Sequence, residues 1–414
     1  MCVDSALITN AEVQKARADF AAYKELESQS FANLLPSVDV MVSRSTVSQE
    51  RTDGTGLDLD QNYVTESDNI SLRQPVYRPK LLRDYEKVKK EILAEKFSLS
   101  NKEDKLKMKV AETYFNLLRA YEEQLLIEKK INLLSEQKNA ASKSIEAGTG
   151  TITELAEINA ANDKALADQI RANQDVRIQL NELKFFTGDN IKKIKTLNGD
   201  QHNFKDFEEQ TISSWEDKAI SNNFELRSKR EKIAAARIAL SSEKLMRYPT
   251  VDLNAQLARG TSESTFFVDS ETKTSSLGLT FSMPLYRGGS ISSRIRQSAS
   301  LLDAEVEGLR FQEEDLKKKV QKAYYSMQES IKLSDALKSA VKSAMIELES
   351  NQKSANAGIR NQLDVLISQQ KALGVERELV DTKLNAIYFW LSLNSLASSL
   401  DKSTLKSLNS YFVH

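Results

Sequence analysis

Cysteine occurs once in the 414 residues, at Cys2, and histidine twice, at His202 and His414. One thiol leaves no disulfide framework and no thiolate metal site. Two histidines exclude a multi-histidine metal centre and leave little for a histidine-based triad. The 58 Lys and Arg face 59 Asp and Glu, a net charge of −1, so no basic excess exists to neutralise phosphates and no nucleic-acid partner is expected. No apolar run approaches the ~18–20 residues of a membrane-spanning helix. Nothing indicates an enzyme, and neither a cofactor nor a metal is expected. Met1-Cys2-Val3-Asp4-Ser5-Ala6 has no basic n-region and no apolar h-region, so no signal peptide is expected in this stretch. A cytosolic protein, a removed leader, and a lipidated Cys2 lacking its hydrophobic leader are the readings left by that terminus.

Proline is also scarce: Pro36, Pro75, Pro79, Pro249 and Pro284 are the five, none between residues 80 and 248 or after 284. Proline costs about 3 kcal/mol inside a helix, so long proline-free stretches rich in Lys, Glu, Ala and Leu read as helix. Leu106, Val110, Tyr114, Leu117, Tyr121 and Leu125 recur three or four residues apart, an apolar stripe along one helix face. A helix from 81 to 145 would be about 100 Å long, more than one globular domain accommodates. Periodicity alone leaves an ordinary coiled coil open.

Around the prolines the period changes to two. Val38, Val40 and Val42 alternate with Ser37, Asp39 and Met41; Val251, Leu253, Ala255 and Leu257 alternate with polar neighbours; Leu277, Leu279, Phe281, Met283 and Leu285 do the same. Ile70, Leu72 and Val76 form a weaker case. Four strands of ~10 residues follow, apolar on one face, with polar loops expected over 49–67 and 258–274.

The chain also repeats itself. Leu35-Pro36-Ser37-Val38-Asp39-Val40 matches Tyr248-Pro249-Thr250-Val251-Asp252-Leu253 at an offset of 213. Pro75-Val76-Tyr77-Arg78 matches Pro284-Leu285-Tyr286-Arg287 at 209. Leu106, Val110, Tyr114 and Leu117 match Leu316, Val320, Tyr324 and Met327 at 210, as Ala147-Gly148 matches Ala357-Gly358. The expected fold is mainly α with a small β part, built from two repeats. Residues 1–213 would hold a helix, strands near 36–48 and 68–78, a long helix near 81–145 and a helix near 152–186. Residues 214–414 would hold a helix, strands near 249–258 and 275–287, a long helix near 290–355 and a helix near 361–398. Two hairpins are too little sheet to stand alone in water, and strands of ~9–11 alternating residues have the dimensions of outer-membrane barrel strands. Four strands cannot close a barrel; three chains would supply twelve.

These residues resemble the TolC-type outer-membrane efflux proteins over essentially the whole chain. The resemblance rests on the two strand starts at Leu35 and Tyr248 and on Phe281-Ser282-Met283-Pro284-Leu285-Tyr286-Arg287-Gly288-Gly289. It also rests on Glu112-Thr113-Tyr114-Phe115-Asn116-Leu117-Leu118, on Lys322-Ala323-Tyr324-Tyr325, and on the glycine turns near 148 and 358. It implies a homotrimeric exit duct, with a barrel in the outer membrane and an α-helical tunnel through the periplasm. It further implies an equatorial belt over about 186–222 and 395–414, a periplasmic membrane-fusion adaptor, and an inner-membrane ABC or proton-driven exporter as partners. A lost secretory leader then becomes the better account of the N-terminus. Resemblance assigns Arg360, Thr153 and Glu154 to a gate tie at the tunnel's periplasmic tip, and Asp364 to an acidic ring. The second ring position holds Ile367, so the acidic constriction is expected to be weaker, and Ala355 stands where the family places the aromatic that takes part in the lock. Val38, Val40, Leu253, Leu279 and Phe281 are expected to face outer-membrane lipid. A soluble coiled-coil scaffold or a periplasmic adaptor is the alternative, although no lipoyl-like domain rich in short strands is found.

Overall fold

The computed structural model describes residues 2–52, 54, 56, 58–188, 195–197, 204–207, 210–264, 267–408 and 412–413. Two compact units are present. One comprises residues 1–18, 97–227 and 311–414, the other 19–96 and 228–310, so both halves of the duplicated sequence contribute to each unit.

The second unit holds an antiparallel sheet of β1 (Ser37–Thr52), β2 (Asp58–Tyr77), β4 (Thr250–Ser264) and β5 (Phe267–Ser282), in the order β1-β2-β4-β5. Prolines sit where the backbone must change. Pro36 and Pro249 precede β1 and β4, Pro75 lies at the one irregularity of the β2–β4 ladder, and Pro79 opens the long helix α3 (Pro79–Glu146). A proline in the first turn forfeits no helical hydrogen bond, and its fixed φ suits the helix, so α3 begins at Pro79 and not at 81. The strands are longer than their apolar alternation. Residues expected as polar loops carry the hairpin arms: Gln49 pairs with Gln61 and Gly260 with Thr272. Both faces of those arms are polar, so no two-residue hydrophobic period marks them.

In the first unit α1 (Cys2–Thr9) and the first two turns of α2 (Ala11–Ala32) enter against α3 and α4 (Ile152–Thr187), the rest of α2 belonging to the second unit. Ala6, Val13, Leu106, Val110, Leu117, Val176 and Leu183 form one buried cluster, with Tyr114 and Tyr121 packed on it. Leu316, Val320 and Met327, their matches on α7 (Ser290–Asn356), are buried too. The expected stripe does not run to Leu125, which is 46% exposed; Leu126 turns inward instead. Steps of four repeated along a helix of 3.6 residues per turn drift off the buried seam. The unit continues through β3 (Thr196–Leu197), a 3-10 turn (Phe204–Phe207), α5 (Ile212–Asn222) and the first four residues of α6 (Phe224–Leu245), whose remainder belongs to the second unit. It ends in α8 (Gln362–Leu396), α9 (Lys402–Leu408) and β6 (Phe412–Val413), which pairs with β3. Phe412 lies against Tyr114 and Phe115, and Trp390 stacks on Phe207 at 4.7 Å. The expected belt falls partly outside the described residues, and His202 and His414 lie outside them.

Candidate functional site

Two helical hairpins, α3–α4 and α7–α8, are turned by the same device 210 residues apart. Gly148 and Gly358 take φ of 72° and 69°, a left-handed conformation that glycine adopts without strain. The carbonyl of Ser144 then accepts from the N–H groups of Thr149 and Gly150, and that of Ser354 from Ile359 and Arg360. A Cβ on Gly150 would lie 2.9 Å from the Ile145 nitrogen. Its counterpart Arg360 carries a Cβ, and the second turn is looser there: the N–H bond to Ser354 is 3.4 Å against 2.9 Å at Gly150.

Each turn ends in an N-cap that hydrophobic periodicity does not mark. Thr151 Oγ1 accepts from the Glu154 N–H at 3.2 Å, and Asn361 Oδ1 from the Asp364 N–H at 2.9 Å. Glu154 and Asp364 are therefore the third residues of α4 and α8, where a carboxylate also meets the positive end of the helix dipole. Thr153 is exposed, and Glu154 and Asp364 are partly exposed. Arg360 is exposed and has no side-chain partner among the described residues, so one chain alone does not bring it onto Thr153 or Glu154. A guanidinium just before a helix N-terminus sits on the unfavourable side of that dipole. Ile152 and Ile359 beside the turns are 80% and 79% exposed.

The strand register gathers the five expected lipid-facing residues on one face. Directly opposed residues share a face and neighbours along a strand alternate. Val38 opposes Leu72, which opposes Ala255 and then Leu277; Val40 opposes Ile70, which opposes Leu257. Leu253 opposes Leu279, and Val251 opposes Phe281. The other face carries Asp39, Ser71, Gln256 and Ser276 across the same four strands.

At the foot of this sheet Arg78 grips Asp252, Nε to Oδ1 at 2.7 Å and Nη2 onto Oδ2, with Arg73 a further 3.4 Å contact. The pair could have been read from the repeat, since Asp252 matches Asp39 and Arg78 matches Arg287. Deeper in the first unit, α3 and α8 are laced by Arg119–Asp381, Glu123–Arg377 and Lys129–Glu376 at 3.1 to 3.4 Å. Burial raises the carboxyl of Glu122 beside them. The cavity there, about 100 Å³, is lined by Glu122 and by the Arg119–Asp381 and Glu123–Arg377 pairs, with Leu126 and Val380, and no group of His, Cys, Asp and Glu among the described residues could hold a metal.

The protease secretion protein PrtF of Dickeya chrysanthemi is 25% identical to this chain, with 98% of this chain and 89% of that protein covered. The alkaline protease secretion protein AprF of Pseudomonas aeruginosa is likewise 25% identical, covering 99% and 86%. Among solved structures, the channel protein CusC superposes with a TM-score of 0.82 at 14% identity, over 96% of this chain and 91% of CusC, a likeness of fold. The family model described as outer membrane efflux protein matches residues 2–189 and 215–398, which sets aside the scaffold and adaptor alternatives. The chain belongs to the outer membrane efflux protein family, the exit ducts of efflux and type I secretion systems.

Proposed function

We propose that three copies of this chain form a passive, non-enzymatic duct, its sheet closed into a barrel in the outer membrane and its helices extending into the periplasm. One observation carries this reading. The sheet has only four strands, a face of Val, Ile, Leu and Phe side chains, and two edges, β1 and β5. In water that face and those edges are liabilities; in a bilayer the face is solvated, and the edges must pair with something. Four strands are too few to enclose a lumen, whereas twelve suffice. Val38, Val40, Leu253, Leu279 and Phe281 then meet lipid.

A periplasmic adaptor and an inner-membrane exporter complete the path. PrtF and AprF bear protease-secretion names, which favours an ABC exporter of type I secretion with a protein cargo. Exposed Ile152 and Ile359 offer apolar contacts at the hairpin tips, where such an adaptor would dock. The closed state rests on Arg360, whose fork bonds Thr153 and Glu154 of a neighbouring copy, because its own chain gives it no partner among the described residues. Asp364, three times repeated, rings the axis with carboxylates and favours cations over anions there.

Membrane fractionation tests the proposal. The protein should sediment with outer membranes, require detergent for extraction, and run as a heat-dissociable trimer in SDS gels. Recovery as a detergent-free soluble species would contradict it.

A further inference from the structure

We propose that the barrel closes by pairing β5 of one chain with β1 of the next copy in a register set by the internal duplication, with Asp39 gripped by Arg287 of the partner subunit. The inference rests on the trimer reading above and adds to it the residues that meet at the seam.

The two hairpins are the same object transported along the sequence. β1 maps onto β4 at an offset of 213 and β2 onto β5 at 209. The ladders obey these offsets: Ser37 pairs with Arg73 in the first hairpin, and their counterparts Thr250 and Ser282 pair in the second. Within one chain the two hairpins join through β2 and β4, where Leu72 opposes Ala255 and Gln74 opposes Leu253. That contact joins the second strand of the first repeat to the first strand of the second. Its only counterpart is the second strand of the second repeat, β5, against the first strand of the first repeat, β1, and these are the two sheet edges. Applying the same offsets sets Phe281 opposite Val42 and Met283 opposite Val40 across the seam.

Three independent observations agree with this register. It sets the apolar face of β5 beside the apolar face of β1, so the hydrophobic band continues around the ring; a slip of one residue would oppose it to the polar face. Second, Asp252 lies opposite Pro75 and is held by Arg78. Its counterpart Asp39 would lie opposite Pro284, within reach of Arg287, and both Asp39 and Arg287 are exposed and without a side-chain partner among the described residues. Third, β2 runs on through Tyr77 because Tyr77 pairs with Val251, whereas β5 stops at Ser282. The exposed Leu285 and Tyr286 (89% and 86%) compare with 58% and 47% for their counterparts Val76 and Tyr77, as expected where a neighbouring strand is still to be added. The seam differs from the internal contact in one respect. Ser282 replaces Arg73, so Asp39 receives one guanidinium and not two.

The test uses the full chain in outer membranes with Cys2→Ser, which removes the single native thiol. Oxidation of a Val42→Cys, Phe281→Cys double variant should give covalent dimers and trimers in boiled, non-reducing gels, and Val42→Cys with Leu279→Cys, a register two residues away, should give none. Separately, Asp39→Arg and Arg287→Asp should each lower the temperature at which the trimer dissociates in SDS, and the two together should recover most of the loss. Cross-linking of the slipped pair, or a double charge variant no better than either single one, overturns the register while leaving the trimer standing. A parent protein that is only monomeric in the membrane overturns both.

Discussion

Arg78 and Asp252 form a two-pronged ion pair: two guanidinium nitrogens meet two carboxylate oxygens across the junction of β2, α3 and β4. Their side chains are 29% and 9% exposed. Losing one partner of a buried pair costs about 3–5 kcal/mol, and the remaining 3.4 Å contact to Arg73 should hold the loss in Arg78→Ala nearer 2 kcal/mol. Arg78→Lys should recover only part of this, because an ammonium cannot bond both oxygens in the same plane. The readout is the temperature at which SDS-resistant assemblies convert to monomer. An Arg78→Ala protein as heat-resistant as the parent would show the pair to be incidental.

Leu279→Arg places a charge on the apolar face, and near the bilayer midplane it should cost about 2–4 kcal/mol. Ser276→Arg, on the opposite face of the same strand, should be tolerated as a lumenal change. Yield of folded protein in outer membranes distinguishes them. Equal loss, or none in either, would contradict the assignment of faces.

Arg360→Ala should raise conductance. Three ties per trimer, each worth about 1 kcal/mol at a partly exposed site, sum to roughly 3 kcal/mol. That turns an open population of about 1% into a majority. Asp364→Ala should instead weaken block by divalent or trivalent cations, since it removes ring charge and no tie. Unchanged conductance in Arg360→Ala would mean that closure rests on helix packing alone.

Tyr114 supplies the pH dependence. Burial pushes its hydroxyl up to about 12 from the usual 10, while the oxygen lies 3.2 Å from the Lys195 carbonyl. A folded pKa above the unfolded one means a contribution that is whole below pH 10 and lost as pH rises through about 12. Tyrosinate absorption should show a late-titrating fraction, to which the half-buried Tyr388 also contributes, that shrinks by one residue in Tyr114→Phe, and the variant should lose less stability over that interval. A Tyr114 that ionises with the exposed tyrosines would contradict its burial against Phe412.

What could be read from residues alone follows from where hydrophobicity has a period. Val38, Val40, Leu279 and Phe281 declared strands and a face because apolar and polar side chains alternate, and Leu106, Val110 and Leu117 declared a helix seam. The outer hairpin arms, such as Gln49 against Gln61, are polar on both sides and carried no such mark. Thr151 and Asn361 escaped notice because capping depends on a backbone turn that composition does not specify, although Thr151 followed three residues later by Glu154 is a capping pattern. The Arg78–Asp252 pair needed the duplication to be read for chemistry as well as for alignment. Arg360 has no side-chain partner among the described residues of a single chain, so the tie proposed for it was not one that this chain's own contacts could display.

Single-channel recording in planar bilayers, on trimer extracted from outer membranes, tests the duct most directly. The parent protein should insert as discrete, long-lived conductance steps that need no nucleotide or other energy source, and Arg360→Ala should give larger steps from the same preparation. A verified trimer that yields no steps, in the parent or in the Arg360→Ala form, would contradict the central claim that this chain builds a passive exit duct.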